Sequence, residues 1–230
     1  MTGIIGAMNI EVNGLISEME NPVTETISTM RFTSGKIGGH DVVVAKCGVG
    51  KVNAAVCAQT MILRYHPDRI INTGIAGSTS AKTHIGSVVI ADRAVQHDMN
   101  TEVIGDERGT LFLEDESIMY IPCDSTLSGE IADVCRRLGD IDYTVGTVAT
   151  GDIFIGSNDA REKLMRKFGA IACEMEGGSI GHVCYINRVP FCILRSISDD
   201  CTSDDPGVEY STFSRSAADK AVRILLTYLS

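Results

Sequence analysis

Four carboxylates and one arginine stand at or just beyond the ends of short apolar runs in the sequence: Glu11, Glu174, Glu176, Asp199 and Arg195. Carboxylates that converge on one place repel one another unless something compensates, so such a cluster is more typical of function than of structure. Within one pocket, one carboxyl group can donate a proton while another accepts one. An arginine inside an apolar strand needs a carboxylate partner, whatever its function.

Each acidic residue also has a structural explanation. Glu11 stands where a helix is predicted to begin, and an acidic side chain there stabilises the helix dipole. Glu176 could be an ordinary first-turn acid, although the two glycines that follow it indicate close approach of the backbone to a ligand. Asp199 could cap a helix or close a turn. The residue types alone leave these alternatives open.

The apolar pattern predicts strands that alternate with helices. Strands are predicted at 3–7, 69–73, 87–91, 144–149, 170–173 and 191–196, and a hairpin is predicted from 26–36 and 42–46. Helical spacing runs along 12–19, 52–63 and 127–138, and further helices are predicted at 159–168, 177–187 and 214–229. The second helix has a predicted apolar stripe of Val52, Ala55, Val56, Ile62 and Leu63.

This alternation favours one α/β domain over residues 1–230, with three layers formed by a mixed central sheet flanked by helices. The carboxyl ends of strands in such a sheet form the rim of a ligand site. Gly74 and Gly77 are expected in the loop after one strand, and Arg195 and Asp199 in the loop after another. The carboxylates and the arginine would then meet at one mouth.

The least regular segment is 96–122, which is rich in acidic residues. It could be a mobile loop near the site or a subunit contact. A solvated loop without a specific function is an equally good interpretation.

Composition limits the partners and the cellular compartment. Twenty basic and thirty acidic residues give a net charge of −10, which argues against binding to nucleic acid or to an anionic membrane. The eight cysteines form no CxxC pair and most lie in apolar runs, which indicates buried thiols of a reducing compartment. The five histidines are scattered, so we expect no metal site. No targeting signal or membrane span is expected, and the cytoplasm is the predicted location.

Five short motifs then recur in a recognisable order. They are GIIGAM at 3–8 with Glu11, NTG at 72–74 with Ala76 and Gly77, TGD at 150–152 with Phe154, CEME at 173–176 and RSISD at 195–199. Together they resemble the 5′-methylthioadenosine/S-adenosylhomocysteine nucleosidases of the nucleoside phosphorylase superfamily. The resemblance extends from about residue 3 to residue 229, and five motifs in register are far more specific than any one of them.

The resemblance implies a role for each matching residue. Asp199 matches the general acid that protonates N7 of adenine, and Glu11 matches the carboxylate that activates the attacking water. Glu176 matches the residue that binds the ribose hydroxyls. Arg195 and Glu174 match a supporting ion pair beside it.

The resemblance also implies a binding pocket and an assembly. Met175 matches a ribose contact, Phe154 and the backbone of Ile155 match the adenine slot, and Val49 and Tyr210 match apolar contacts to the 5′ substituent. The binding set is completed within the same motifs by Ala76, Gly77 and Ser198. The implied ligand is a small adenine nucleoside, with no cofactor and no metal. The family implies a homodimer in which a loop of the partner completes the pocket.

The sequence departs from the family pattern at a few places. Ile75 replaces a small hydroxyl residue, and Ser78 stands where a second glycine is usual, which leaves the accepted 5′ group open. One rival function is a phosphate-dependent nucleoside phosphorylase, which would need arginines where Asn9, Glu11 and Asn72 stand. Another is a nucleoside-binding protein without catalysis, which would have no need of an acid and a base.

Overall fold

A computed structural model describes residues 1–200 and 206–230 of the chain. The strands are β1 (Thr2–Gly6), β2 (Glu20–Ile27), β3 (Met30–Ile37), β4 (His40–Lys46), β5 (Arg69–Ser78), β6 (Val88–Gln96), β7 (Leu111–Phe112), β8 (Ser117–Ile118), β9 (Tyr120–Pro122), β10 (Tyr143–Thr150), β11 (Ala170–Glu174) and β12 (Phe191–Asp199). The helices are α1 (Asn9–Ser17), α2 (Lys51–Tyr65), α3 (Ser125–Leu138), α4 (Asn158–Phe168), α5 (Gly177–Asn187) and α6 (Pro206–Tyr228), with a short 3-10 helix at Glu102–Ile104.

The central sheet is mixed, as predicted. Its strands run in the order β11-β10-β6-β12-β5-β1-β4-β3-β2, and β9 pairs with β6. Strands β1, β4, β5 and β12 are parallel to their neighbours within that group, whereas β6 is antiparallel to β12. Strand β11 pairs with β10 on one edge and with β5 on the other, so this half of the sheet closes on itself.

Helices cover both faces of the sheet, which confirms the three-layer α/β fold. Helices α1, α3 and α6 bury one apolar cluster, to which Leu15, Ile131 and Leu225 belong. Helices α2 and α5 bury another, with Met61 and Ile180. None of the helices within 1–200 and 206–230 is long and apolar enough to cross a membrane.

The predicted strand at 26–36 is wrong, because the chain reverses in the middle of it. Ser28 and Thr29 have φ angles of 48° and 66° and separate β2 from β3. A β-branched residue rarely adopts positive φ, so the residue types gave no turn signal. The hairpin of β3 and β4 is confirmed, and its turn consists of Gly38 and Gly39, both with positive φ.

Two strands are longer than predicted, and this moves site residues out of loops. Strand β5 continues through Gly74 and Gly77, and β12 continues through Arg195 and Asp199. The two strands are parallel, with Arg195 opposite Gly74 and Asp199 opposite Gly77. Burial and pairing on both edges outweigh the turn preference of the glycines. Helix α6 likewise begins before 214, where its apolar signal starts.

The predicted apolar stripe of α2 is also largely wrong. Val52 and Leu63 are 75% and 65% exposed, whereas the buried face carries Ala54, Cys57 and other residues that pack towards the core. Helix α2 packs against α5, which begins with two glycines. Small side chains allow two helices to approach closely, and Ala54, Cys57 and Ala58 form part of the buried face of α2.

The irregular segment 96–122 is more ordered than expected. It holds the 3-10 helix, a small hairpin formed by β7 and β8, and strand β9, which pairs antiparallel with the end of β6. Val103 and Ile104 are among its exposed residues.

The seven described cysteines are free and buried, in agreement with their apolar surroundings in the sequence. Cys201 lies outside the described residues.

Two glycines in helices provide a test of the close packing around α5. A Cβ atom added at Gly181 would lie 2.5 Å from Cε2 of the buried Phe191, whereas one added at Gly129 in α3 would meet nothing within 4 Å. We expect Gly181→Ala to lower the free energy of unfolding by about 1–3 kcal/mol, because the helix must move away from β12. Gly129→Ala should raise it by about 0.5–1 kcal/mol. Urea denaturation of both variants checks this, and an equal effect of the two changes would contradict it.

Candidate active site

A cavity that is open to solvent lies at the carboxyl ends of β1, β5, β11 and β12. Its walls include four acidic side chains that come from different elements: Glu11, Glu174, Glu176 and Asp199. All four are buried. The sheet therefore gathers at one place carboxylates that are far apart in the sequence.

Glu11 is both a helix cap and a wall of the cavity. Its carboxylate accepts hydrogen bonds from the backbone N–H groups of Ala7 and Met8, at 2.6 and 2.8 Å, at the start of α1. It also accepts one from the N–H of Ile75 at 3.1 Å. Burial raises the pKa of Glu11, and the nearby Arg195 opposes this shift. A buried carboxylate of this kind can take up a proton beside a ligand.

Arg195 is the buried cation that the carboxylates share. It forms an ion pair with Glu174 and donates a hydrogen bond to Oδ1 of Asn72 at 2.6 Å. Its Nη2 lies 3.7 Å from Oε2 of Glu176. Gly74 makes room for it, since a Cβ there would collide with the guanidinium and lie 2.5 Å from Oε1 of Glu11. Arg195 supports the cavity from beneath and is absent from its walls.

Glu174 fixes the loop between β11 and α5. One carboxylate oxygen, Oε2, accepts hydrogen bonds from the N–H groups of Glu176 and Gly177, at 2.8 and 2.7 Å. The other accepts a hydrogen bond from the hydroxyl of Thr150. These bonds begin α5 and set the position of Glu176 at its start.

Glu176 titrates near neutral pH. Burial, and then repulsion by Glu174, raise its pKa to about 7. Its Oε1 accepts a hydrogen bond from the N–H of Gly50 at 2.9 Å, which ties it to the start of α2. The residue can therefore gain or lose a proton in the ordinary working range of an enzyme.

Asp199 has a partner that the sequence analysis missed. Arg161 on α4 forms an ion pair with Oδ2 of Asp199, and both side chains are buried. Ser198 donates a hydrogen bond from its hydroxyl to Oδ1 at 2.7 Å. Arg161 stands among charged residues of α4, but its spacing from Leu164 and Phe168 puts all three on the buried face. That spacing was the available signal.

The mouth of the cavity is apolar. The rings of Phe154 and Tyr210 meet edge to face with centroids 5.7 Å apart, and the exposed Val49 stands with them in the lining. The Tyr210 hydroxyl donates a hydrogen bond to Sδ of Met8 at 3.3 Å. Ile75, with its apolar side chain, also lines the cavity. A nucleoside-sized ligand would find apolar walls and a few polar groups, the usual composition of a small-molecule site.

A smaller cavity adjoins the first and shares part of its walls. Ile153 and Ile155 line only this smaller cavity, and Cys173 is among the residues that line both. Of the residues singled out from the sequence, Val49, Ala76, Gly77, Phe154, Glu174, Met175, Ser198 and Tyr210 line the main cavity with Glu11, Glu176 and Asp199. Arg195 and Ile155 are the two residues of this set that do not line the main cavity. Arg195 lies beneath it, and Ile155 lines the adjoining cavity. Cys173 was not anticipated.

Comparison with known proteins places this fold and cavity in a family. The family model described as the phosphorylase superfamily matches residues 2–230. A 5′-methylthioadenosine/S-adenosylhomocysteine nucleosidase of Shewanella sediminis is 38% identical over 205 residues, which cover 89% of this chain and 88% of the relative.

Solved structures agree with this. A 5′-methylthioadenosine/S-adenosylhomocysteine nucleosidase of Neisseria meningitidis, in complex with methylthio-immucillin-A, is 27% identical, has a TM-score of 0.92 and covers 99% of this chain and 97% of that one. A futalosine hydrolase of Helicobacter pylori is also 27% identical, with a TM-score of 0.92 and coverage of 99% and 96%. This chain belongs to the phosphorylase superfamily and, within it, to the 5′-methylthioadenosine/S-adenosylhomocysteine nucleosidase family.

Proposed function

We propose that this chain hydrolyses the N-glycosidic bond of 5′-methylthioadenosine and of S-adenosylhomocysteine, releasing adenine and a 5-thioribose sugar. The observation that carries the proposal is the convergence of Glu11, Glu176 and Asp199 on one cavity with apolar walls. The names of the relatives and the ligand of the Neisseria structure support the substrate class.

In this mechanism Asp199 is the general acid. In the structure Asp199 is the carboxylate of an ion pair with Arg161, so it takes up a proton from solvent when the substrate binds. Adenine is a poor leaving group until its ring is protonated, and this proton moves from Asp199 to N7 as the bond between C1′ and N9 breaks. The electron pair of that bond goes to the base, and the sugar becomes a cation. Phe154 and the backbone of Ile155 hold the base, and Ala76, Gly77 and Ser198 contact the substrate beside the acid. One positioned proton donor contributes about 10²–10⁴-fold to the rate.

Glu11 acts on the nucleophile. It takes a proton from water while the water oxygen bonds to C1′, on the opposite face from the departing base. Glu176 accepts hydrogen bonds from the 2′- and 3′-hydroxyls, and Met175 packs against the ribose. Val49 and Tyr210 contact the 5′ substituent. Arg195 holds Glu174 in place through its ion pair, and its charge opposes the rise that burial causes in the pKa of Glu11 and of Glu176.

The cavity argues against phosphate as the nucleophile. Among the residues that line it in the described part of the chain there is no lysine or arginine. Glu11 faces the space that phosphate would fill, and a carboxylate repels an anion at short range. Asn72 is occupied by hydrogen bonds with Arg195 and with the carbonyl of Ile5. A protein that only binds nucleosides would have no need of a proton donor and acceptor in the same cavity.

The first test of the proposal examines both the reaction products and the role of Asp199 as the acid. The wild-type protein should convert methylthioadenosine to adenine and free methylthioribose at a rate independent of phosphate. Asp199→Asn should lower kcat/KM by about 10²–10⁴-fold, because the base then leaves unprotonated. The exposed Asp159 of α4 supplies the matched control, and Asp159→Asn should leave kcat/KM unchanged. A ribose 1-phosphate product, or near-normal turnover by Asp199→Asn, would contradict the proposal.

Substrate binding should depend on pH through Glu176. Its pKa of about 7 lies above the usual range, so the carboxylate that accepts the ribose hydroxyls becomes more abundant as pH rises through neutrality. The Kd of methylthioadenosine, measured with the inactive Asp199→Asn variant, should fall by up to tenfold per pH unit below about pH 7 and then level off. Adding Glu176→Gln should weaken binding and flatten the profile. A flat profile in the parent variant would contradict this role.

We also propose that the protein is a homodimer in which the exposed face of α2 is buried. Val52, Val56 and Leu63 are exposed there, which supports an interface, since contiguous apolar surface of this kind is typical of contact sites. Sedimentation should show a dimer at micromolar concentration. Leu63→Glu should shift it towards the monomer, whereas Val145→Glu, on the exposed side of β10, should not. A wild-type monomer with full activity would refute the assembly.

We place this enzyme in the cytoplasm. Free, buried thiols support that location, because they are typical of reducing compartments.

A further inference from the structure

The guanidinium of Arg161 has three partners near Asp199, and all three are groups of the protein. Its Nη2 forms an ion pair with Asp199, its Nη1 donates to the carbonyl of Ser78 at 3.2 Å, and its Nε donates to the carbonyl of Ile155 at 3.2 Å. The residue is 0% exposed. One guanidinium therefore joins the proton donor, the end of β5 and the loop proposed to hold the base.

A buried ion pair is a weak explanation for stability. The cost of removing two charges from water can exceed their attraction, and apolar replacements of such pairs are often neutral or stabilising. The chain nevertheless makes space for this pair. A Cβ atom at Gly77 would lie 2.8 Å from Oδ2 of Asp199 and 3.2 Å from Nη2 of Arg161. Asp199 lines the cavity and Arg161 is its buried ion-pair partner there, which indicates a role in the reaction.

We propose that Arg161 is a positioning residue for protonation of the leaving base. It orients Asp199 and stabilises the carboxylate that Asp199 becomes once its proton has moved to the base. Because the same guanidinium holds the carbonyl of Ile155, it also fixes the distance between the acid and the base slot. This inference rests on the proposed function.

The charge balance of the step explains the effect. The proton leaves an oxygen of Asp199 for N7, the electron pair of the C1′–N9 bond goes to the base, and negative charge develops on Asp199 beside Arg161. An interaction that strengthens as charge develops stabilises the transition state more than the bound substrate. Ser198, which donates to the other oxygen of Asp199, supports the same orientation.

The test compares two leaving groups. Methylthioadenosine requires a protonated base, whereas the p-nitrophenyl glycoside of 5-methylthioribose releases a stable phenolate without a proton. Arg161→Met should lower kcat for methylthioadenosine by about 10²–10³-fold, the size of one preorganised electrostatic contact, with KM changed only a few-fold. The loss on the p-nitrophenyl substrate should be at most several-fold. Arg161→Lys, which keeps the charge, should recover part of the lost rate.

Two further variants separate this role from a structural one. In the Asp199→Asn background, Arg161→Met should lower kcat for methylthioadenosine only slightly further, because Arg161 acts through Asp199. The control is Arg166→Met on the exposed side of α4, which should leave both activities unchanged. Equal losses on both substrates, or additive losses in the double variant, would overturn the inference. If Arg161→Met does not fold, the two substrates are compared with Arg161→Lys in its place. A wild-type protein that releases no adenine would instead refute the proposed function.

Discussion

The active-site cavity depends on one buried cation. Arg195 pairs with Glu174 and lies within reach of Glu176, and its charge opposes the raised pKa of Glu11. Without that cation, three carboxylates would be confined together in a region of low dielectric constant, and they would bind protons or separate. Arg195 is held in turn by Asn72 of β5. The position of the cation is thus set by the pairing of β5 with β12, at the centre of the sheet.

The closure of the sheet has a related effect on Asp199. Strand β11 joins β10 to β5, and Gly77 of β5 lies opposite Cys173 on one side and Asp199 on the other. Asp199, Cys173 and Glu174 are brought together by the main chain of three strands, and Met175 and Glu176 follow in the short loop between β11 and α5. This differs from open α/β sheets, in which loops beyond the strands carry most of the ligand contacts. Rigid placement of this kind suits a reaction that depends on where a proton is delivered.

The fold class, all six α-helices (with a later start for α6) and the residues around the cavity followed from periodicity and from the five motifs. The hairpin turn at Ser28 and Thr29 did not, because nothing in their chemistry favours positive φ. The orientation of α2 was misjudged because apolar side chains do not always face the core, and Val52 and Leu63 lie on the exposed side of this helix. Arg161 was missed because it stands among charged residues, and only its spacing from Leu164 and Phe168 indicates that it is buried. Long-range charge pairing leaves little trace in local sequence.

Gly74 illustrates how tightly such a site restricts its own sequence. The space beside its Cα atom is occupied by the guanidinium of Arg195 and the carboxylate of Glu11, which come from the opposite ends of the chain. Any side chain at 74 would have to displace one of these two buried charged groups. The three residues therefore form a unit in which a substitution of any one residue is disfavoured as long as the other two are unchanged. A lineage that altered one of them would have to pass through an inactive intermediate or change all three together.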